Sequence, residues 1–99
     1  MKATFSSIIN STTPVLVDFY AEWCGPCKSQ SPIIRDFAIE MGNKVRVIKI
    51  DVDKNPEIAT RYKIQGVPTI MLFKEGKVLF SQAGMMMKSQ LKNMVSSKI

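Results

Sequence analysis

Short apolar runs along this chain indicate four β-strands. Residues 15–20 form a nearly continuous run of β-branched and aromatic side chains that only Asp18 interrupts, a pattern typical of a central strand buried on both faces. Residues 45–52 are also rich in valine and isoleucine. Residues 69–73 and 77–80 flank a Lys-Glu-Gly segment, which is the signal of a β-hairpin. The sequence therefore predicts two separate strands followed by a hairpin.

Helical spacing and helix-end signals place four helices around these strands. The second helix follows the Gly-Pro pair at residues 25–26 and ends near Met41, where a Gly-Asn pair supplies a stop. The third opens at Asn55, an N-cap followed by proline at the first helical position, and ends near Tyr62. The first and last helices are recognised by their apolar faces. The first lies within residues 4–10, and its apolar face comprises Phe5, Ile8 and Ile9. The last begins near Lys88, and its apolar face comprises Met87, Leu91, Met94 and Val95.

The order of these elements predicts an α/β fold. A βαβ start followed by a hairpin and a final helix gives a mixed four-stranded central sheet with helices on both faces. A chain of 99 residues is long enough to build one hydrophobic core. We therefore expect residues 1–99 to form a single domain.

The charge and hydropathy of the chain exclude several classes of partner. The 14 Lys and Arg against 8 Asp and Glu give a net charge of +6. The lysines are scattered, which is typical of a solvated surface and not of a nucleic-acid site, although the excess charge also favours acidic protein partners. No apolar run approaches the ~18–20 residues that span a bilayer. Residues 1–7 lack the apolar segment of a secretory signal, so we expect a soluble, cytoplasmic protein. We also expect it to be a monomer.

The absence of histidine narrows the chemistry further. Without it, neither a Cys–His pair nor a Ser–His–Asp triad can form. A structural zinc site uses four Cys or His ligands, and the chain has two cysteines, so we expect no metal. Proton transfer must then use a carboxylate, a lysine, a cysteine or water.

Cys24 and Cys27 lie at the predicted junction of the first strand and the second helix. Their spacing brings both sulfurs to one side, close enough for a disulfide. Free N–H groups at the helix start stabilise a Cys24 thiolate, whereas Cys27 should be more covered and keep its proton longer. Gly25 lets a partner backbone approach, and Pro26 preorganises the turn. A structural disulfide closing so short a loop would add little stability, so the motif favours a redox pair with Cys24 as nucleophile and Cys27 as resolving thiol.

The segment Val-Asp-Phe-Tyr-Ala-Glu-Trp-Cys-Gly-Pro-Cys-Lys at residues 17–28 resembles the active-site segment of the thioredoxin family almost residue for residue. Further matches are Lys49, residues 66–69 (Gly-Val-Pro-Thr), residues 73–76 (Phe-Lys-Glu-Gly) and Gly84. The resemblance extends from about residue 15 to the end of the chain.

This resemblance implies a thioredoxin-like three-layer α/β/α fold and protein-disulfide reductase activity through a reversible Cys24–Cys27 disulfide. The chain lacks a G-x-G-x-x-G nucleotide fingerprint, so no bound cofactor is expected and electrons must come from a separate thioredoxin reductase. The family commonly begins with an additional strand. About four residues precede Phe5 here, which leaves room for only a fragment of a fifth strand.

Two charged residues of the predicted strands complete the expected chemistry. Asp18 lies in an apolar strand, where lost solvation raises the pKa of its carboxyl group. The resemblance places Asp18 beneath Cys27 as a proton acceptor through water, whereas the plainer alternative is a satisfied polar group at a strand end. Lys49 resembles the lysine that moderates the pKa of this aspartate in the family. Alternatively, its side chain simply extends to water.

The resemblance also implies a docking surface beside the sulfurs. Pro68 would form a cis peptide bond with Val67, exposing the backbone of Val67 for strand-like pairing with a substrate. The alternative for Trp23 is ordinary core packing. The residues expected to form the flat apolar docking patch are Trp23, Gly25, Pro26, Val67, Pro68 and Gly84.

The Met-Met-Met segment at residues 85–87 departs from the family, which usually carries smaller or polar residues there. We expect Met87 to belong to the core because it continues the apolar stripe of the last helix. Met85 and Met86 either add adaptable apolar surface to the docking patch or simply lead into the helix.

Other functions stay open on the sequence alone. A specialised reductant or oxidant of an oxidising compartment would share this fold, but the Gly-Pro pair between the cysteines and the missing export signal count against it. A non-enzymatic binding module would use the apolar patch without the thiols, so replacing both cysteines by serine separates it from a reductase. A peroxidase is disfavoured because nothing indicates a polar pocket for a peroxide.

Overall fold

The computed structural model describes residues 4–99, which contain the predicted elements in the predicted order. The helices are α1 (Phe5–Ile9), α2 (Gly25–Met41), α3 (Pro56–Arg61) and α4 (Lys88–Lys98), and the strands are β1 (Val15–Tyr20), β2 (Arg46–Asp51), β3 (Thr69–Lys74) and β4 (Lys77–Ala83). The expected mixed four-stranded sheet with flanking helices is confirmed for this part of the chain. Over the same residues, no helix has the length and apolar character needed to cross a bilayer.

Strand β1 occupies the interior of the sheet, whose order is β2-β1-β3-β4. It pairs parallel with β2, to which α2 connects it, and antiparallel with β3. Strands β3 and β4 form the antiparallel hairpin. Strands β1 and β3 are buried along almost their whole length, whereas β2 and β4 are partly exposed. The register places Asp18 directly opposite Lys49 of β2.

Alternate side chains of β1 enter two separate cores on opposite faces of the sheet. Leu16 packs on one face with Ile34 and Phe37 of α2 and with Leu91 and Val95 of α4. The opposite core contains Val15, Val17, Phe19, Met71 and Phe73, with Phe5 of α1 and Tyr62 after α3 packed against them. Because Asp18 alternates with Val17 and Phe19, it points to the same face as Leu16. The carboxylate therefore lies on the side of the sheet that α2 covers.

The structure corrects the expectation for the methionine segment. Helix α4 begins at Lys88, and Met87 precedes it with extended backbone angles of −77° and 160°. The helical period therefore does not extend back to Met87, whose side chain is 56% exposed. Met86 enters the core instead, at 4% exposure. The expected core position was wrong by one residue, and Met86 adds no side-chain surface to the docking patch.

Other differences concern the ends of elements. Asn55 is the N-cap residue of α3 as predicted, but its side chain makes no capping hydrogen bond. Its side-chain amide instead donates to the carbonyl oxygen of Asp51 at 3.0 Å. Strand β4 continues beyond the predicted residue 80 to Ala83, which pairs with Thr69. The predicted fragment of a fifth strand would lie mostly in residues 1–3, which are outside the described residues. Thr4 itself caps α1 by accepting a hydrogen bond from the Ser7 N–H.

Candidate active site

Cys24 is the N-cap of α2, and Cys27 lies in the first turn of the same helix. The backbone of Cys24 is extended, and its Sγ accepts a hydrogen bond from the Cys27 N–H at 3.2 Å. A sulfur here occupies the position in which a serine or aspartate oxygen caps other helices. An N–H at this position and the positive end of a helix dipole favour negative charge on the capping atom.

The two cysteines are joined by a disulfide, with their Cα atoms 5.3 Å apart. Burial does not distinguish them, since each is 4% exposed; the expectation that Cys27 is more covered was wrong for this oxidised state. Their environments do differ. The Sγ of Cys24 receives the helix N–H and lies 3.5 Å from the carbonyl oxygen of Val67. Neither sulfur of a disulfide carries a hydrogen, so this second approach is a contact and not a hydrogen bond.

Two loops are anchored beside the disulfide. The Val67–Pro68 peptide bond is cis, as the resemblance implies. The N–H of Gly84 donates to the carbonyl oxygen of Pro68 at 2.8 Å. Gly84 has a φ of 98°, a conformation that favours glycine. The backbone of the β4–α4 loop is thus tied to the loop that contacts Cys24.

Trp23 lies on the surface next to these loops. Its side chain is 72% exposed, which excludes the alternative of core packing. The indole N–H donates to Asp53 Oδ2 at 2.8 Å, so the ring is held in place although it is open to solvent. Gly25 and Pro26 are exposed beside it. An exposed aromatic ring anchored by one hydrogen bond is suited to contact with another protein.

Asp18 is completely buried, and neither of its carboxylate oxygens has a hydrogen-bond partner among the described residues. Burial in this environment raises the pKa of the carboxyl group from 3.8 to about 6, and the nearby charge of Lys49 opposes the rise. The plainer alternative of a satisfied polar group does not hold for Asp18. A buried carboxylate without a partner is a group that can accept a proton from a neighbour.

Lys49 lies opposite Asp18 on β2, yet its ammonium group reaches the surface. The Nζ atom donates to Ser31 Oγ at 2.7 Å and lies 4.6 Å from the centre of the Tyr20 ring. The Lys49 side chain therefore extends to the surface, as the second alternative from the sequence expected. Its charge nevertheless lowers the pKa of Asp18, although by less than burial raises it.

Gln30 is the residue that the sequence patterns did not single out. It is completely buried in α2, one turn beyond Cys27. Its side-chain amide donates to the Met86 carbonyl oxygen at 2.9 Å, and its Oε1 accepts from the Met86 N–H at 2.8 Å. The pair joins the active-site helix to the loop that carries Gly84. A polar residue in line with the buried positions Ile34 and Phe37 is the signal that could have revealed it.

These features define a class of site. A helix-capping sulfur that can close a disulfide with a neighbour three residues later, beside a buried carboxylate and an exposed aromatic ring, is a centre for thiol–disulfide exchange. No group of three or more His, Cys, Asp or Glu side chains converges anywhere in residues 4–99. The redox group is the disulfide itself.

Comparison with known proteins agrees with this class. A family model described as Thioredoxin matches residues 1–97. The chain is 43% identical over 94 residues to the thioredoxin of Acidithiobacillus ferridurans, covering 95% of this chain and 87% of that one. It is 45% identical over 92 residues to the thioredoxin of Rickettsia felis, covering 93% and 88%. A solved structure described as "Structure of a malarial protein" matches with a TM-score of 0.83 at 25% identity, covering 88% and 98%.

The chain belongs to the thioredoxin family. It is a thiol–disulfide oxidoreductase that reduces protein disulfides, and its chemistry needs no cofactor beyond the active-site disulfide. Disulfide-containing proteins and a reductase are its general partners.

Proposed function

We propose that this protein acts in the cytoplasm as a monomeric, single-domain reductant of protein disulfides, with Cys24 as nucleophile, Cys27 as resolving thiol and thioredoxin reductase as electron donor. The observation that carries the assignment of the two sulfurs is the 3.2 Å hydrogen bond from the Cys27 N–H to Cys24 Sγ at the start of α2. It favours negative charge on Cys24 over Cys27.

The reaction proceeds by two exchanges. The Cys24 thiolate attacks one sulfur of a substrate disulfide, that S–S bond breaks, and the other substrate sulfur leaves as a thiolate. Cys27 then loses its proton and attacks the Cys24 sulfur of the mixed disulfide. The bond between Cys24 and the substrate breaks, the second substrate thiolate leaves, and the Cys24–Cys27 disulfide forms. Two electrons have passed to the substrate, and the reductase returns them.

Asp18 serves in this scheme as the acceptor of the Cys27 proton, through a water molecule. The carboxylate has no hydrogen-bond partner in the described structure and faces the α2 side of the sheet. With a pKa of about 6, it is ionised at neutral pH and yet more basic than an exposed aspartate. Lys49 tunes this basicity through its charge. Both roles act on the second exchange, in which the substrate is released.

Substrates dock on the exposed surface around Cys24. Trp23, Gly25 and Pro26 contribute one side of this surface, and Val67 and Gly84 contribute the other. Pro68 is buried, so the expectation that it belongs to the exposed patch was wrong. The 3.5 Å contact between the Val67 carbonyl oxygen and Cys24 Sγ supports this role for Val67, because a backbone acceptor beside the sulfur could pair with an extended substrate. The anchoring of Trp23 by Asp53 limits the entropy lost when a substrate covers the ring.

Reductase-coupled reduction of insulin disulfides tests the function. The wild-type protein should turn over repeatedly, and the variant carrying Cys24→Ser and Cys27→Ser should show none. Ser29→Ala, an exposed change on the same helix, serves as the control and should keep full activity. If the double-serine variant fulfilled the biological role as well as wild type, the protein would act as a binding module. A strongly oxidising potential for Cys24–Cys27 would indicate the oxidant of an oxidising compartment instead.

A further inference from the structure

A groove of about 680 Å³ opens on the flank of the site where Cys27 lies. The end of β1, the first two-thirds of α2 and the middle of β2 form its walls. Three cationic side chains line it, Lys28, Arg35 and Lys49, and Glu22 is its only acidic lining residue. The groove is therefore electropositive and continuous with the disulfide.

No side-chain ion pair within residues 4–99 neutralises Lys28 or Arg35 of this groove. The ion pairs found within residues 4–99 are Lys54 with Glu22, Lys88 with Glu40, and Lys92 with Glu40. None of them involves the three cations of the groove, and the ion-pair partner of Glu22 is Lys54, at 3.7 Å. The hydrogen-bond partner of the Lys49 ammonium is the neutral hydroxyl of Ser31. Lys49 interacts with the nearby charge of Asp18, so Lys28 and Arg35 are the two groove cations left to bind negative charge from another molecule.

We propose that this groove binds acidic residues flanking the reactive disulfide of a protein substrate, so that Lys28 and Arg35 select substrates by charge. The inference rests on the proposed function, because the substrate must be held at Cys24 for its neighbouring residues to reach the groove. The Cα atoms of Cys24 and Cys27 are 5.3 Å apart. An extended chain advances about 3.3 Å per residue, so residues two or three positions from the substrate cysteine reach past Cys27.

The chemistry of the lining residues fits carboxylates. Arginine presents a planar pair of donors that matches a carboxylate, and lysine adds a point charge. The groove itself lies beside the apolar docking patch and not within it. Apolar contacts would therefore hold the substrate sulfur at Cys24, while the groove reads the charge of the adjoining segment. Such contacts between exposed charges raise association rates most at low ionic strength.

The test uses three disulfide peptides of equal length, whose reactive cysteine is flanked by aspartates, asparagines or lysines. The groove variant carries Lys28→Gln and Arg35→Gln. Its matched control carries Arg46→Gln and Lys77→Gln, which removes the same two charges from exposed positions outside the groove. Lys49 is kept because of its proposed effect on Asp18. The rate constant for oxidation of the reduced protein by each peptide is measured at low and high salt.

For wild type and the matched control, we expect the acidic peptide to react about fivefold faster than the neutral one at low salt, from two exposed ion pairs. The groove variant should lose most of this preference and reduce the neutral peptide at the wild-type rate. Equal loss in the matched control would mean that net charge alone acts and would overturn the proposal. So would a groove variant that keeps the wild-type preference for the acidic peptide, since Lys28 and Arg35 would then play no part in selection. Failure of wild type with all three peptides would instead refute the proposed function.

Discussion

Replacing Asp18 by asparagine tests how burial sets the proton affinity of the carboxylate proposed to serve Cys27. The side chain is completely buried, and both carboxylate oxygens lack a partner in the described structure. Asparagine has nearly the same shape but cannot ionise. The substitution therefore removes the titration with little change in packing volume.

The magnitude follows from the pKa. Burial raises the pKa of Asp18 from 3.8 to about 6, which corresponds to about 3 kcal/mol at about 1.36 kcal/mol per pKa unit. Since the pKa is higher in the folded state, the folded protein holds this proton more tightly than the unfolded chain. The contribution to stability is complete below pH 3.8 and is lost as the pH rises through about 6.

The assay is urea denaturation of the oxidised wild type and Asp18→Asn between about pH 3.5 and 8, so that the disulfide stays closed throughout. Other carboxylates, including Glu40 with its lowered pKa beside Lys92, titrate in both proteins and cancel in the difference. The free energy of unfolding of Asp18→Asn, relative to wild type, should rise by about 3 kcal/mol across this range. The exposed Asp36→Asn controls for the loss of one negative charge.

A kinetic measurement separates the proposed role from a purely structural one. The second exchange should slow in Asp18→Asn, and the inflection of its rate near pH 6 should disappear, because no carboxylate accepts the Cys27 proton. A stability difference that stays flat with pH would refute the argument from burial. A resolving step unchanged in rate and pH profile would refute the role as proton acceptor.

Two further substitutions probe the neighbours of the site. Lys49→Met removes the charge that opposes the effect of burial, so the pKa of Asp18 should rise above its wild-type value in a carboxyl NMR titration. Lys49→Arg keeps the charge and should preserve the wild-type pKa. No rise in the methionine variant would contradict the role assigned to Lys49. Gln30→Leu leaves the N–H and carbonyl oxygen of Met86 buried without their partners, which should lower the free energy of unfolding by about 2–4 kcal/mol. Gln90→Leu is the control: it removes the exposed 2.7 Å hydrogen bond from the Met87 N–H to Gln90 Oε1 and should lower the free energy of unfolding by less than about 1 kcal/mol. Equal losses of stability in the two leucine variants would contradict the claim that burial makes the Gln30 hydrogen bonds important.

Strong local patterns explain what could be predicted from the sequence. The nearly continuous apolar run of residues 15–20 indicated a doubly buried strand because a central strand contacts both cores. The spacing of Cys24 and Cys27 fixed their geometry because both lie within one helical turn. Asp18 stood out as the one charge in that run.

The features that could not be predicted depend on the exact start of an element or on distant partners. Met86 is the buried methionine in place of Met87 because α4 begins only at Lys88. Gln30 finds its partner 56 residues away, and no local pattern encodes that contact. The outward path of Lys49 depends on Ser31 of a different element.

Trapping of mixed disulfides tests most directly the claim that Cys24 attacks and Cys27 releases. Reduced Cys27→Ser protein, incubated with a disulfide-containing substrate, should accumulate a covalent adduct through Cys24, visible by non-reducing electrophoresis and mass spectrometry. Cys24→Ser should form little or none over the same time. Adducts forming through Cys27 as readily as through Cys24 would contradict the account, because the hydrogen bond at the start of α2 would then not determine which sulfur attacks.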